Sequence, residues 1–167
     1  GREIDLDLHG LRVDADELTY PLHVMLRFEL EKKLLSGELA VRHLPDAWNA
    51  AMEARLGVRP ANDVEGVLQD IHWALGSFAY FPSYAVGAAI AAQLAEGLRA
   101  DVPTLDEQVA AGDFSGLFGW LRQNVHGYGA KLTAQELIKQ ATGRPIGAQA
   151  ALRYLESKYL ADAPASS

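Results

Sequence analysis

Apolar residues at positions 22, 25, 26, 30 and 34 recur at intervals of three and four, a spacing that lines one side of an α-helix and that no strand holds on a single face. The punctuation around this run agrees. Asp16 stands where a cap belongs, Pro21 falls in the first turn, where a missing amide donor costs least, and Gly37 stops the run. Glu29, Glu31, Lys32 and Lys33 are expected on the opposite, solvated side. The same grammar continues down the chain. Pro45 opens a second helix through Leu56 to Gly57, and Asn62-Asp63 is expected to cap a third that carries Gln69, Asp70, His72 and Trp73 as far as Gly76. Pro82 begins a longer helix, rich in small residues over 85–100. Thr104 with Glu107 and Thr133 with Glu136 have capping-box spacing. Asp113 precedes a helix over 114–125 whose Phe114, Leu117, Phe118, Leu121 and Val125 share a face, and a last helix is expected over 147–160. The expected fold class is therefore all-α, a multi-helix array over residues 11–160. Residues 1–10 are read as a leader or one short strand, from Ile4, Leu6 and Leu8 alternating with Asp5 and Asp7, and residues 161–167 as a tail.

Composition narrows the function classes. A chain of 167 residues, 49% hydrophobic, is long enough to bury a core as one domain. A net charge of -7 and the absence of any basic run argue against nucleic acid. No cysteine is present, which removes disulfides, thiolate zinc sites and thiol catalysis and suits a reducing compartment. No apolar run reaches membrane-spanning length, so the expectation is a cytoplasmic protein with no membrane partner.

Directional polar chemistry concentrates at 69–73, where an amide, a carboxylate, an imidazole and an indole fall within five residues. His72 can donate to a developing oxyanion, with Asp70 or Gln69 orienting its ring. On a regular helix positions 70 and 72 point to different sides, which counts against a direct Asp70–His72 pair. The structural alternative is a satisfied histidine in a helix seam beside Trp73, itself assigned to the core. Arg12 presents a planar fork that matches a carboxylate with two parallel hydrogen bonds; otherwise it pairs with Asp14 or Asp16 or caps a helix end. Tyr84, just after Pro82, can offer its phenol to a cleft, with Tyr80 as competitor, and either ring can instead be buried with its hydroxyl on the backbone. His126 is expected at a helix C-terminus, where its charge suits the dipole.

Two patterns give these residues a context. Gly66-Val67-Leu68-Gln69-Asp70-Ile71-His72-Trp73 fits Gly-x-x-Gln-Asp-x-His-Trp, and Leu11-Arg12-Val13-Asp14-Ala15-Asp16 fits Ile/Val-Arg-x-x-Ala-Asp. Both resemble signatures of the thermostable carboxypeptidase Taq family of zinc metallocarboxypeptidases, and the resemblance runs from about Leu11 through Leu160. It implies that Arg12, with Gln69 and Asp70, binds the substrate's C-terminus, and that His72 and Tyr84 give auxiliary stabilisation. The family's zinc is held through a His-Glu-x-x-His helix and a downstream glutamate. The five histidines here are His9, His23, His43, His72 and His126, and no two stand four apart. The resemblance is therefore to roughly the C-terminal third of such an enzyme. No metal site or cofactor is expected in this chain, although zinc belongs to the full-length family. Ala79 stands where the family has glycine, and Ala88 where asparagine is common. Hydrolysis by this route needs a metal-activated water and a glutamate base. The expected function is thus a truncated, catalytically inactive carboxypeptidase-like protein that acts by binding. A homodimer, a full-length carboxypeptidase homologue and a peptide C-terminus are its expected partners. The alternative is a C-terminal fragment or subunit of an active zinc carboxypeptidase.

Overall fold

Seven α-helices and four short 3₁₀ turns, with no strand, make up residues 10–160, the part of the chain that this computed structural model describes. The alternation at positions 4–8, most of the leader and the tail lie outside the described residues. No described helix is long and apolar enough to cross a membrane. The helices fall into two compact units, one up to Ala85 and one from Val86.

In the first unit α1 (Tyr20–Leu35) is led in by Asp16, whose Oδ1 accepts from the amides of Leu18 and Thr19 at 2.7 and 2.9 Å. Pro21 sits in its first turn. α2 (Leu44–Leu56) has Pro45 in its first turn and ends at Gly57, whose amide donates to the Glu53 carbonyl. Its buried residues Leu44, Trp48, Met52 and Leu56 recur every four positions, so they form one ridge along the helix. That ridge packs against Leu26 and Leu30 of α1 to make the core, with Val67 and Trp73 closing over it. Each of the fully buried leucines and Met52 contributes roughly 1.5–3 kcal/mol on burial.

The buried face of α1 differs from the apolar pattern. Met25 is half exposed, whereas His23, Arg27 and Glu31, spaced by four, are buried beside Leu26 and Leu30. Glu31 therefore does not lie on the solvated side expected for it. The third helix expected after Asn62-Asp63 does not form either. Asn62 Oδ1 does accept from the amides of Val64 and Glu65. The next helical bond, from the Gln69 amide to the Glu65 carbonyl, is displaced: the Gln69 side chain takes that carbonyl through Nε2 at 2.8 Å, and the Gln69 amide bonds Gly66 instead. A side chain that competes for backbone acceptors in this way converts a helix into successive turns. Gly66 fits closely here, because a Cβ would meet the Asn62 carbonyl at 3.2 Å and Pro60 Cβ at 3.3 Å, tighter than most side-chain contacts. Only the short 3₁₀ turn Trp73–Leu75 is helical in this segment, and Gly76 ends it in the left-handed region. α3 (Pro82–Asp101) then begins at Pro82, as expected.

In the second unit α3 continues, followed by α4 (Leu105–Ala110), α5 (Ser115–Asn124), α6 (Ala134–Thr142) and α7 (Gln149–Tyr159). Leu98, Leu105 and Trp120 form the core, with Leu117, Leu121 and Val125 against it. Phe114 and Phe118, expected on the same face, are instead exposed, and Trp120 takes the buried position, its indole donating to Asp101 at 2.6 Å. The Thr133–Glu136 capping box forms in both directions. The Thr104 box does not: Thr104 Oγ1 accepts from Gln108 Nε2, and no side-chain bond caps α4. Glu96 joins Arg144 and Arg153, whose hydrogen bonds hold its carboxyl down at about 2.

Candidate functional site

The first unit brings together the residues of the two sequence patterns. Arg12 lies in the short 3₁₀ turn Arg12–Asp14, and its backbone amide donates to Gln69 Oε1 at 2.9 Å. Gln69 Nε2 donates back to the carbonyl of Gly10 at 3.2 Å. One glutamine amide thus ties two segments almost sixty positions apart, a task open to it because the segment carrying it is not helical.

Asp70 is the centre of the site. Its Oδ1 accepts from Arg12 Nε at 3.0 Å and Nη2 at 2.7 Å, and its Oδ2 accepts from Arg27 Nε at 2.6 Å. Arg27 is fully buried; it also donates to Gln69 Oε1 at 2.7 Å and to the His23 carbonyl at 2.9 Å, and its guanidinium lies over the Trp48 ring. Arg12 donates further to Tyr20 Oη at 2.8 Å and sits over the Tyr84 ring at 5.0 Å. Arg12 therefore pairs with Asp70, not with Asp14 or Asp16. Burial alone would raise the Asp70 carboxyl, but the two guanidinium groups outweigh it and hold it below its ordinary value. Burial draws Arg27 down to about 10 against the pull of Asp70. For Arg12 the balance reverses: burial lowers its value, but Asp70 and Tyr20 together outweigh it, and the value rises. All three groups are charged at neutral pH, with two positive charges facing one negative.

His72 stands beside this trio. Its Nε2 lies 3.1 Å from Tyr84 Oη and its Nδ1 3.7 Å from Asp70 Oδ1. The two-residue spacing that separates these side chains on a helix does not separate them here, because residues 70–72 are not helical. The imidazole packs between Phe81, with centroids 4.5 Å apart, and Tyr80 at 5.5 Å. Burial pushes the Tyr84 phenol above its ordinary value, so it keeps its proton at neutral pH and can donate. Tyr80, the competing candidate, is half exposed and contacts His72 only through its ring. Trp73 packs on the core edge-on to Trp48, as expected. His126 falls in the second unit, in the 3₁₀ turn that follows α5.

The family model for carboxypeptidase Taq (M32) metallopeptidases matches residues 6–159. The chain belongs to the M32 carboxypeptidase family. It is 44% identical to carboxypeptidase 1 of Bacillus subtilis and 42% identical to thermostable carboxypeptidase 1 of Pyrococcus furiosus, over 89% and 90% of its own length. Among solved structures it matches the M32 carboxypeptidase of Deinococcus radiodurans with a TM-score of 0.87 at 49% identity, over 90% of this chain and 30% of that one. The chain spans about 30% of the length of the curated M32 relatives, which fits a C-terminal portion of such an enzyme. The all-helical architecture is that of the M32 structures it matches.

The zinc that the M32 family implies is not accommodated by these side chains. Among the described residues no three His, Asp or Glu groups converge to hold a metal ion. Asp70 is engaged by two arginines and His72 by Tyr84, so the strongest donors are already committed.

Arg27, Glu31 and Tyr20 escaped sequence reasoning, although each touches this network. Arg27 and Glu31 sit within a run of apolar positions, where charge is normally assigned to solvent. The signal that marks them is the four-residue spacing His23, Arg27, Glu31, which places three polar groups in one row beside Leu26 and Leu30.

Proposed function

We propose that this chain recognises the free carboxyl terminus of a peptide at Arg12 and does not hydrolyse the peptide unaided. The observation that carries the reading is the trio of Arg12, Asp70 and Arg27. Asp70 and Tyr20 engage three of the five N–H groups of the Arg12 guanidinium, which leaves two without a partner among the described residues. One positive charge in the trio is uncompensated, so a second carboxylate is the complementary ligand. A carboxypeptidase has to recognise such a group. Gln69 and Asp70 fix the position of Arg12, and the His72–Tyr84 pair offers a donor beside it. The metal and base that hydrolysis requires have no counterpart in this set.

Val64, Leu68, Ile71 and Leu75, within twelve positions of the chain, are exposed to between 65% and 71%. Cover by a second copy of the chain is the association we favour, with a full-length M32 homologue as the other occupant. The cysteine-free sequence supports a cytoplasmic setting.

Calorimetric titration with a short peptide and its C-terminally amidated form tests the central claim. The free acid is expected to bind and the amide to bind more weakly by roughly 1.5–3 kcal/mol, the worth of hydrogen bonds to a charged group. Arg12→Lys, which keeps the charge but loses the fork, is expected to erase most of that preference. Equal binding of the two peptides would refute carboxylate recognition.

A further inference from the structure

Glu31 has no place in the reading above, yet among the described residues it is the most deeply buried carboxylate of the first unit, with 2% of its surface exposed. A carboxylate taken out of water is costly unless its oxygens are satisfied. Those of Glu31 are satisfied by N–H donors: Oε2 accepts from the Trp73 indole at 2.7 Å and Oε1 from the Ala79 backbone amide at 2.6 Å. Among the described residues it has no ion-pair partner within salt-bridge distance. Its two donors bracket one short piece of chain. Trp73 follows His72 directly, and Ala79 precedes Tyr80 and Phe81, the two rings that hold the His72 imidazole. Ala79 has φ 59°, a left-handed conformation in which an L-residue is disfavoured. The bond from its amide to Glu31 helps to hold that conformation.

We infer that Glu31 is a positioning residue: from α1 it clamps both ends of the 73–79 turn and thereby sets the orientation of His72 towards Tyr84 and Asp70. The inference rests on His72 belonging to the proposed carboxylate site for its functional meaning, but the geometry it describes exists without ligand. The carboxylate is required as such, because it presents an acceptor to each N–H. A carboxamide of the same shape presents one acceptor and one donor, so one of the two N–H groups meets an NH₂.

The test is ¹⁵N and ¹H NMR of the His72 imidazole and the Trp73 indole in the unliganded chain, comparing wild type, Glu31→Gln, Trp73→Phe and the double variant. Leu30→Ala serves as a destabilised control from the neighbouring core position. The groups that face the imidazole are Asp70, Tyr80, Phe81 and Tyr84, and none is altered in these variants. Glu31→Gln is expected to move the His72 ring nitrogens and change the tautomer ratio, while Leu30→Ala leaves both at their wild-type positions. In the double variant the carboxamide oxygen introduced at position 31 is free to serve the Ala79 amide, and the His72 signals should return towards those of Trp73→Phe. If Glu31→Gln does not fold, Trp73→Phe alone removes one arm of the clamp and must still shift His72. Affinity for a free-acid peptide should fall roughly tenfold in Glu31→Gln, the lower end of what losing an orienting partner costs. Unchanged His72 resonances in the folded Glu31 and Trp73 variants would overturn the clamp. Shifted resonances in a chain that binds no peptide would uphold the clamp and remove the carboxylate reading instead.

Discussion

Asp70 accepts from two guanidinium groups, one of them without solvent contact, and this fixes what its loss would do. In Asp70→Asn, Arg27 stays buried with its charge uncompensated, and breaking a buried pair in this way costs about 3–5 kcal/mol. The pH dependence follows from the direction of the Asp70 shift. Its folded value is lowered, so its contribution is complete above the ordinary aspartate value of about 3.9 and is lost as pH falls through the lower folded value. Urea unfolding at a series of pH values should show a stability gap between wild type and Asp70→Asn that is constant from neutrality to about pH 5 and closes below about pH 4. A gap that shrank at neutral pH would show that the carboxylate charge is not what Arg27 requires. Gln69, Asp70 and His72 could be singled out in the sequence because unlike polar groups cluster there, and Arg12 because its fork matches a carboxylate within the pattern at 11–16. Their partner Arg27 could not, since an arginine among leucines on a helix reads as a solvated position. Only the fold reveals that the row His23, Arg27, Glu31 faces inward.

Helices were legible wherever backbone and side-chain signals agreed. Pro21, Pro45 and Pro82 each fall at the start of a helix, and the ends at Leu35, Leu56 and Asp101 lie close to those expected from apolar spacing and glycines. The segment between Asn62 and Gly76 departs from the expected helix because its local chemistry supports two outcomes. A capping asparagine and apolar residues favour a helix, while Gln69 competes for the Glu65 carbonyl and wins through its additional bonds to Arg12 and Gly10. That competition depends on a residue nearly sixty positions away, so no local window contains it. The two threonine boxes make the same point within the second unit. Spacing is identical, but only Thr133 bonds an orphan amide at its helix start. Thr133→Ala should therefore cost about 1 kcal/mol, as the loss of a working cap does. Thr104→Ala should stay within about 0.5 kcal/mol, the range of ordinary surface changes. Chemical denaturation of the two variants side by side measures this, and equal losses would mean that the box geometry is not what stabilises α6.

Association sets the apolar surface of the chain against its charge. The exposed residues Val64, Leu68, Ile71 and Leu75 favour burial against a second copy, whereas a net charge of -7 on each copy opposes it. The two terms respond differently to salt. Repulsion between exposed charges is screened as the Debye length shrinks from about 10 Å at 0.1 M to about 3 Å at 1 M, while apolar burial is not weakened. Self-association driven by this surface should therefore tighten as sodium chloride is raised, the reverse of an interface held by ion pairs. Sedimentation velocity over a range of protein concentrations, at low and high salt, reads both terms. Leu68→Ser and Ile71→Ser should each weaken the dimer without altering the sign of its salt dependence, since neither changes the net charge. A dimer that loosened with salt would point to a charged interface elsewhere. A monomer at every concentration and salt level would leave these residues to a different occupant, a full-length M32 homologue, and the same measurement repeated with that protein mixed in would detect it as a faster boundary.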